Sequence, residues 1–259
     1  MRDIKIIVAT HKKYEMPKED IFIPVQVGSQ GKDPLGYQKD NEGKNISSKN
    51  PYYCELTGIY WAWKNLEAEY IGLVHYRRYF AKSKLFAKNK FDKIITREKL
   101  EKLLEKTDII LPKKRKYYIE TIYSHYKHTM YIEPLDEAGK IIKEKYTEYY
   151  NEFEKLKKRR SAHMFNMFIM KKEYFDEYCK WLFPILFELE KRIDPKNYND
   201  FHARYLGRIS ERLLDVWINT NKLKYKELDV VYMGKTNFAK KVISVINAKI
   251  TGKKYEKSF

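Results

Sequence analysis

The sequence predicts an α/β fold with a central, mostly parallel sheet flanked by helices. Three observations carry that expectation. Compact apolar runs of strand length stand at Ile4 to Ala9, Phe22 to Val27, Tyr70 to Val74 and Asp108 to Leu111. Apolar residues at helical spacing follow several of these runs, most clearly Tyr53, Leu56, Tyr60 and Trp63. A cationic cluster, His75, Arg77 and Arg78, closes the third run, and the carboxyl ends of buried strands are where such folds place ligand-binding groups.

The chain has 259 residues, enough for one large domain or two small ones with a substantial core. Tyrosine and phenylalanine number 23 and 13. Tyrosine packs like a hydrophobe while keeping a polar tip, so a mean hydropathy of -0.70 does not argue disorder. Cys54 and Cys179 sit inside apolar helical patterns and read as buried thiols of a reducing compartment. The first residues lack the order of a signal peptide, and no apolar run reaches bilayer-spanning length. A cytoplasmic protein, peripheral on the inner face of the plasma membrane, is expected. The formal net charge of +18 favours phosphorylated substrates, anionic lipid or nucleic acid. Nucleic acid is the weakest of these partners, because the aromatics follow core periodicity and no nucleic-acid-binding motif is present.

In chain order, the first strand runs into a polar loop whose Thr10 and His11 are candidate nucleotide contacts. Phe22 to Val27 forms a second strand, closed by Gly28. Residues 29–49 are rich in Gly, Lys, Asp and Asn without periodicity and read as a flap over the site. Asn50 is suited to cap a helix whose first position Pro51 would take, and the helix should extend to Asn65. After Tyr70 to Val74, strand alternation would place His75 and Arg77 on one side and Tyr76 and Arg78 on the other. Guanidinium groups bind phosphate oxygens bidentately, so the pair is a candidate anion site, with Lys64 assisting. The competing reading is that each arginine pairs with a nearby carboxylate.

Thr96 to Glu105 reads as a surface helix and Asp108 to Pro112 as a strand stopped by proline. The run Lys113-Lys114-Arg115-Lys116 reads as a solvated face. Glu120 to Met130 and Leu135 to Leu156 are helical by pattern, broken at Glu133-Pro134. Residues 113–160, with their many tyrosines and lysines, thus read as a partly exposed helical lobe. His163 to Met170 is an apolar strand with one misfit, Asn166, which must satisfy a neighbouring backbone or face a ligand. Tyr174 to Arg192 is a helix bent at Pro184. Arg204 to Trp217 is another, buried along Leu206, Ile209, Leu213, Val216 and Trp217. Its Arg208 and Asp215 read as members of a surface ion-pair ladder. Lys226 to Tyr232 is the last strand, which sets the main domain at 1–234. Residues 235–259 form a basic amphipathic tail suited to an anionic membrane surface.

The blocks "NPYYCELTGIYWAWKN", "IGLVHYRRYF", "DIILPK", "HMFNMFIMKKEYFDEYCKWLFPILFELEKRI" and "RYLGRISERLLDVWI" occur in this order. Together they resemble the bacterial capsular and exopolysaccharide glycosyltransferases long catalogued as a domain of unknown function, a family that includes O-antigen and capsule galactofuranosyltransferases. The resemblance implies a GT-A-like fold and a UDP-sugar donor carrying galactofuranose or galactose. It also implies a polyprenyl-diphosphate-linked or other oligosaccharide acceptor and inversion at the anomeric carbon. An inverting displacement needs a general base; Glu211, in the matching "SER" block, is the first candidate and Glu55 the second. Asn50 and Asn166 join the donor site, and His163, Arg204 and Arg212 become candidate contacts to acceptor or donor sugar. The chain has no Asp-x-Asp, the motif with which many such enzymes hold a divalent cation, and its six histidines are scattered without metal-ligand spacing. No cofactor is therefore expected: Arg77 and Arg78 would stabilise the leaving diphosphate instead.

Overall fold

A computed structural model describes residues 1–82 and 89–234 together with Lys254. The chain divides into two compact units: Met1–Lys113, Phe165–Lys180 and Lys224–Gly234 form the first, while Lys114–Met164 and Trp181–Leu223 belong to the second. The first unit begins with β1 (Ile4–Thr10), β2 (Phe22–Gln26), β3 (Gln38–Lys39), α1 (Asn50–Tyr53) and α2 (Leu56–Asn65). It continues with β4 (Tyr70–His75), β5 (Arg78–Phe80), α3 (Arg97–Leu104) and β6 (Ile109–Pro112). The second unit holds β7 (Arg115–Lys116), α4 (Ile122–Thr129), α5 (Glu133–Lys145), α6 (Thr147–Lys158) and β8 (Ser161–Ala162). The chain then returns to the first unit with β9 (Phe168–Lys171) and passes between the units along α7 (Lys172–Arg192). Finally α8 (Tyr205–Thr220) lies in the second unit, and β10 (Lys226–Leu228) and β11 (Val230–Tyr232) in the first.

One sheet organises the first unit, in the order β10-β6-β9-β4-β1-β2-β3. β1 is parallel to both β2 and β4, and β9 runs antiparallel between β4 and β6. The mostly parallel α/β expectation holds. Six of the seven β1 residues are buried, as a strand covered on both faces requires. Register brings Ala9 level with Val25 and with His75, so β1, β2 and β4 end together at one carboxyl edge. Tyr79, Phe80, Ile94, Ile95, Leu100 and Met167 pack against this sheet as part of its core.

Several local expectations are corrected. The helix expected from Asn50 is broken at Cys54, whose φ of 54° is left-handed. Asn50 does not cap it; its Nδ2 donates to Cys54 O at 2.7 Å and to Thr57 Oγ1 at 3.2 Å, tying the break together. The break rotates the buried stripe to Leu56, Ile59 and Ala62, leaving Tyr60 and Trp63 half-buried. β4 does not run on through Arg78. A two-residue turn at Tyr76-Arg77 reverses the chain, pairing His75 with Arg78. The expected strand from His163 is confined to β9, because Phe165 and Asn166 both adopt positive φ, 78° and 52°. The expected last strand splits into two at Asp229: β10 joins β6, and β11 joins β5.

Residues 29–49, read as a flap, are held down by a buried carboxylate. Asp40, fully buried, accepts Gly28 N–H at 2.7 Å and Ser29 N–H at 3.0 Å. The hydroxyls of Ser29, Ser47 and Thr57 also lie within hydrogen-bond distance of it. Gln26 adds two contacts, donating to Asp33 O and accepting from Leu35 N–H. Gly28 is left-handed at φ 63°, and a Cβ there would stand 2.3 Å from the Asn50 side chain, so the loop and α1 meet only without one.

In the second unit, α6 packs against α5 and α8. α4 opens on a capping box between Thr121 and Ser124, and Pro134 falls in the first turn of α5, where the missing N–H costs nothing. A further break at Tyr146 separates α5 from α6. Among the described residues no helix is long and apolar enough to cross a membrane. Residues 235–259, the expected membrane tail, lie outside the described residues except for Lys254.

Asp40→Ala strands the buried donors around it and should cost about 3–4 kcal/mol. Thermal unfolding should report it as a fall in Tm of roughly 10 °C, with Asp40→Asn intermediate; an unchanged Tm would show that the carboxylate does not hold the loop.

Candidate functional site

The carboxyl edge of β1, β2 and β4 gathers the residues singled out in the sequence. Tyr76, at the first position of the hairpin turn, is 1% exposed and forms its base. The rings of His11, Tyr14 and His75 lie 5.4, 5.2 and 4.4 Å from it, and Lys12 and Arg77 stand over its face at 5.6 and 5.3 Å. His75 Nδ1 accepts the Arg77 N–H at 3.3 Å. Arg77 is exposed and Arg78 half-buried, and neither forms an ion pair with a carboxylate among the described residues. The competing reading of the arginines as tethers to carboxylates therefore finds no partner there.

Arg78 stands 4.5 Å over the ring of Phe165, a cation–π contact that fixes the guanidinium without neutralising it. Asn166 follows Phe165 and donates its Nδ2 to Glu55 Oε1 at 2.9 Å. Glu55 in turn follows Cys54. Three non-glycine residues in the left-handed region, Cys54, Phe165 and Asn166, thus flank one carboxylate–amide contact. Asparagine tolerates that region through its short polar side chain, whereas cysteine and phenylalanine occupy it at a cost. Such strain concentrates where surrounding structure over-determines a functional geometry.

A groove of about 650 Å³ borders the hairpin, lined by Tyr14, Glu15, Asn89, Lys90, Phe91 and Met233. Tyr14 joins it to Tyr76, and the Met233 N–H donated to Arg77 O at 3.0 Å joins it to the turn. Lys90 Nζ reaches the carbonyls of Tyr232 and Met233 at 2.9 and 3.2 Å and closes the other side. Two aromatic walls and a volume in the usual ligand range suit a flat heterocycle.

The remaining candidates are placed differently. Thr10 is fully buried, and its hydroxyl donates to Lys12 O at 2.6 Å, closing the turn that presents His11. Asn50 serves the break at Cys54, as described. Lys64 does not join the arginines: on the last turn of α2 its ammonium responds to Lys44 and to Asp176, Cys179 and Lys180 of α7. There burial pushes the Lys64 ammonium below its ordinary range, and its Nζ lies 3.1 Å over the Trp63 ring. His163, expected at a sugar, is wholly buried, with Nδ1 bonded to Asp215 and its N–H donated to Asp215 Oδ2 at 3.1 Å. Asp215 is correspondingly buried and is no part of a surface ladder. Glu211, Arg212, Arg204 and His163 all belong to the second unit. Arg212 is buried over the Tyr126 ring at 4.5 Å, donates to Arg208 O at 2.6 Å, and lies 3.7 Å from Glu211. Arg204 is exposed in a short turn.

Sequence reasoning passed over Tyr76, Phe165 and Asp40, and over a cluster in the second unit. Glu120 there is 5% exposed and bonded to His125 Nδ1 at 2.7 Å and His128 Nδ1 at 2.6 Å. Burial pushes His125 below its ordinary range despite that carboxylate. The spacing Glu-x4-His-x2-His on a capped helix was the available signal. Among the described residues no group of three or more His, Cys, Asp and Glu is arranged to hold a metal ion.

Comparison with known proteins bears on this geometry. No curated protein matches the chain. The solved apo structure of WbbM, a bifunctional glycosyltransferase, superposes with a TM-score of 0.84 at 33% identity. The match covers 90% of this chain and 46% of that one, so this chain spans about half of its length. It bears out the GT-A-like α/β architecture. A family model described as domain of unknown function (DUF4422) matches residues 5–222, a span that takes in Glu55, Arg77, Arg78 and Asn166. With most of its length inside that match, the chain belongs to the DUF4422 family.

Proposed function

We propose that this protein is a glycosyltransferase of bacterial polysaccharide synthesis, moving a sugar from a UDP-sugar to an oligosaccharide acceptor carried on a lipid diphosphate. The observation that carries the reading is the extent of its likeness to WbbM, 33% identity over 90% of this chain. A galactofuranose or galactose donor, an inverting course and action at an anionic membrane surface belong to the same proposal.

In this reading the uracil ring enters the groove between Tyr14 and Phe91, and the diphosphate lies against Arg77 and Arg78. Both arginines lack a carboxylate partner among the described residues, so their charge is available to the phosphate oxygens. The acceptor hydroxyl gives its proton to Glu55 as its oxygen attacks the anomeric carbon from the face opposite the diphosphate. The bond from that carbon to the β-phosphate oxygen breaks, and the electron pair leaves with UDP. Fixed cations stabilise this developing charge where other transferases use a metal ion. Glu55 is preferred to Glu211 as the base because the contacts through Asn166 and Phe165 connect it to Arg78.

Three outcomes follow. Replacing Arg77 or Arg78 by Ala should weaken UDP binding in calorimetry by roughly 10- to 100-fold, as expected for a charged hydrogen bond worth about 1.5–3 kcal/mol. Glu55→Gln should keep UDP affinity within about twofold while lowering kcat by about 10²- to 10⁴-fold; the reverse pattern, with Glu211→Gln losing turnover, moves the base to α8. EDTA should leave transfer intact, and loss of activity restored by manganese would overturn the metal-independent mechanism.

A further inference from the structure

The turn between β7 and α4 leaves Tyr118 and Ile119 exposed at 75% and 76%. Apart from Met1, the next large hydrophobic residue among those described is Tyr131 at 46%. Side chains this exposed are usually carried on loose loops, but this turn is fixed on both sides. Tyr117 is buried, with its ring 4.4 Å from that of His125, and its N–H is donated to Arg160 O at 2.8 Å. Glu120 is bound by His125 and His128, and the Ile122 N–H is donated to Arg159 O at 2.8 Å. Tyr118 holds a left-handed φ of 55°, and its carbonyl accepts from Arg160 Nη1 at 3.4 Å. The tip is therefore presented by a rigid base.

Two basic runs far apart in sequence converge on it. Arg115 and Lys116 pair with Ala162 and Ser161 in a short antiparallel ribbon, which draws Lys158, Arg159 and Arg160 alongside. Lys116, Lys158 and Arg160 are exposed and have no carboxylate partner among the described residues. The unit's nearby acids are engaged elsewhere: Glu152 with Lys155 and Arg159, Glu154 with Lys157, and Glu120 with its histidines. An apolar tip carried beside unneutralised cations matches the boundary of an anionic bilayer. An aromatic ring and an aliphatic side chain enter the acyl boundary there, and cations stay among the headgroups.

We propose that Tyr118 and Ile119 form a membrane wedge that docks this protein on anionic lipid, with Lys116, Lys158 and Arg160 as its headgroup contacts. The wedge deepens the proposed action at an anionic membrane surface, with which it also shares the lipid-borne acceptor, and its test needs no turnover. The full chain is floated with vesicles of phosphatidylglycerol or of phosphatidylcholine across a salt series, with UDP binding measured in parallel as a check on folding. Wild type should float with phosphatidylglycerol and lose binding as salt rises. Tyr118→Ser/Ile119→Ser should lower the partition at least about tenfold, and Lys116→Gln/Arg160→Gln about thirtyfold, at about 1 kcal/mol per cation. Both variants should keep the melting temperature and UDP affinity of wild type. Wild-type vesicle binding in both double variants would overturn the wedge and assign any membrane contact to another surface. Absence of flotation with phosphatidylglycerol, or retention on heparin without flotation, would overturn it equally. Absence of UDP binding by the wild-type chain, with the wedge effects and melting temperatures as expected, would sink the transferase reading alone.

Discussion

The buried carboxylate of Asp40 is the constraint on which the first unit's site depends. Taking a carboxylate out of water costs several kcal/mol, and that cost is offset only when its lone pairs are saturated by donors. Here the donors come from the end of β2, from residues 29–47 and from the start of α2. A loop of this length would otherwise be mobile. Thr57 binds both Asp40 and the segment around Cys54. The same interaction that immobilises the loop therefore sets where Glu55 projects.

From Glu55 the constraint passes through the Asn166 amide to Phe165 and then to Arg78. None of these links is strong in isolation; an exposed cation–π contact is worth about 0.5–1 kcal/mol and a hydrogen bond about the same. Their value lies in orientation. Arg78 is held by a ring rather than by a carboxylate, which leaves its charge intact for an anion. A salt bridge would have fixed the side chain as firmly while cancelling the field that an anionic ligand needs. The left-handed residues at Cys54, Phe165 and Asn166 raise the energy of this arrangement, and the rest of the unit's packing offsets it.

The net charge of +18 is distributed with the same logic. Many lysines and arginines are matched: Arg192, for example, reaches Glu137, Glu144 and Glu188, and its charged form is favoured accordingly. Unmatched cations among the described residues include the β4–β5 turn in one unit and the β7–β8 ribbon in the other. Surface pairs contribute little to stability, so the matched residues chiefly define where the excess is left over. Both of these excesses adjoin aromatic rings: Arg77 and Arg78 lie over Tyr76 and Phe165, and Arg115 over Tyr117.

The α/β class, the parallel core of β1, β2 and β4, and the long buried helix α8 were legible in the sequence, because continuous apolar runs and helical periodicity report burial directly. So was the His75, Arg77 and Arg78 cluster, since charge cannot enter a buried strand and must mark its end. The turn that pairs His75 with Arg78 was not legible, because no glycine or asparagine announces it. Nor were the left-handed Cys54 and Phe165, which nothing in their side chains favours. Misassignment of His163 and Asp215 had one cause: a polar residue with an expected surface position can be buried whenever a distant partner satisfies it, and sequence does not give that pairing. The sequence by itself determined which residues are apolar, how they repeat, and hence the class of fold. Tertiary structure alone decided which carboxylate meets which donor, and so which cations stay unpaired, because that choice depends on contacts between residues more than a hundred positions apart, such as Glu55 and Asn166.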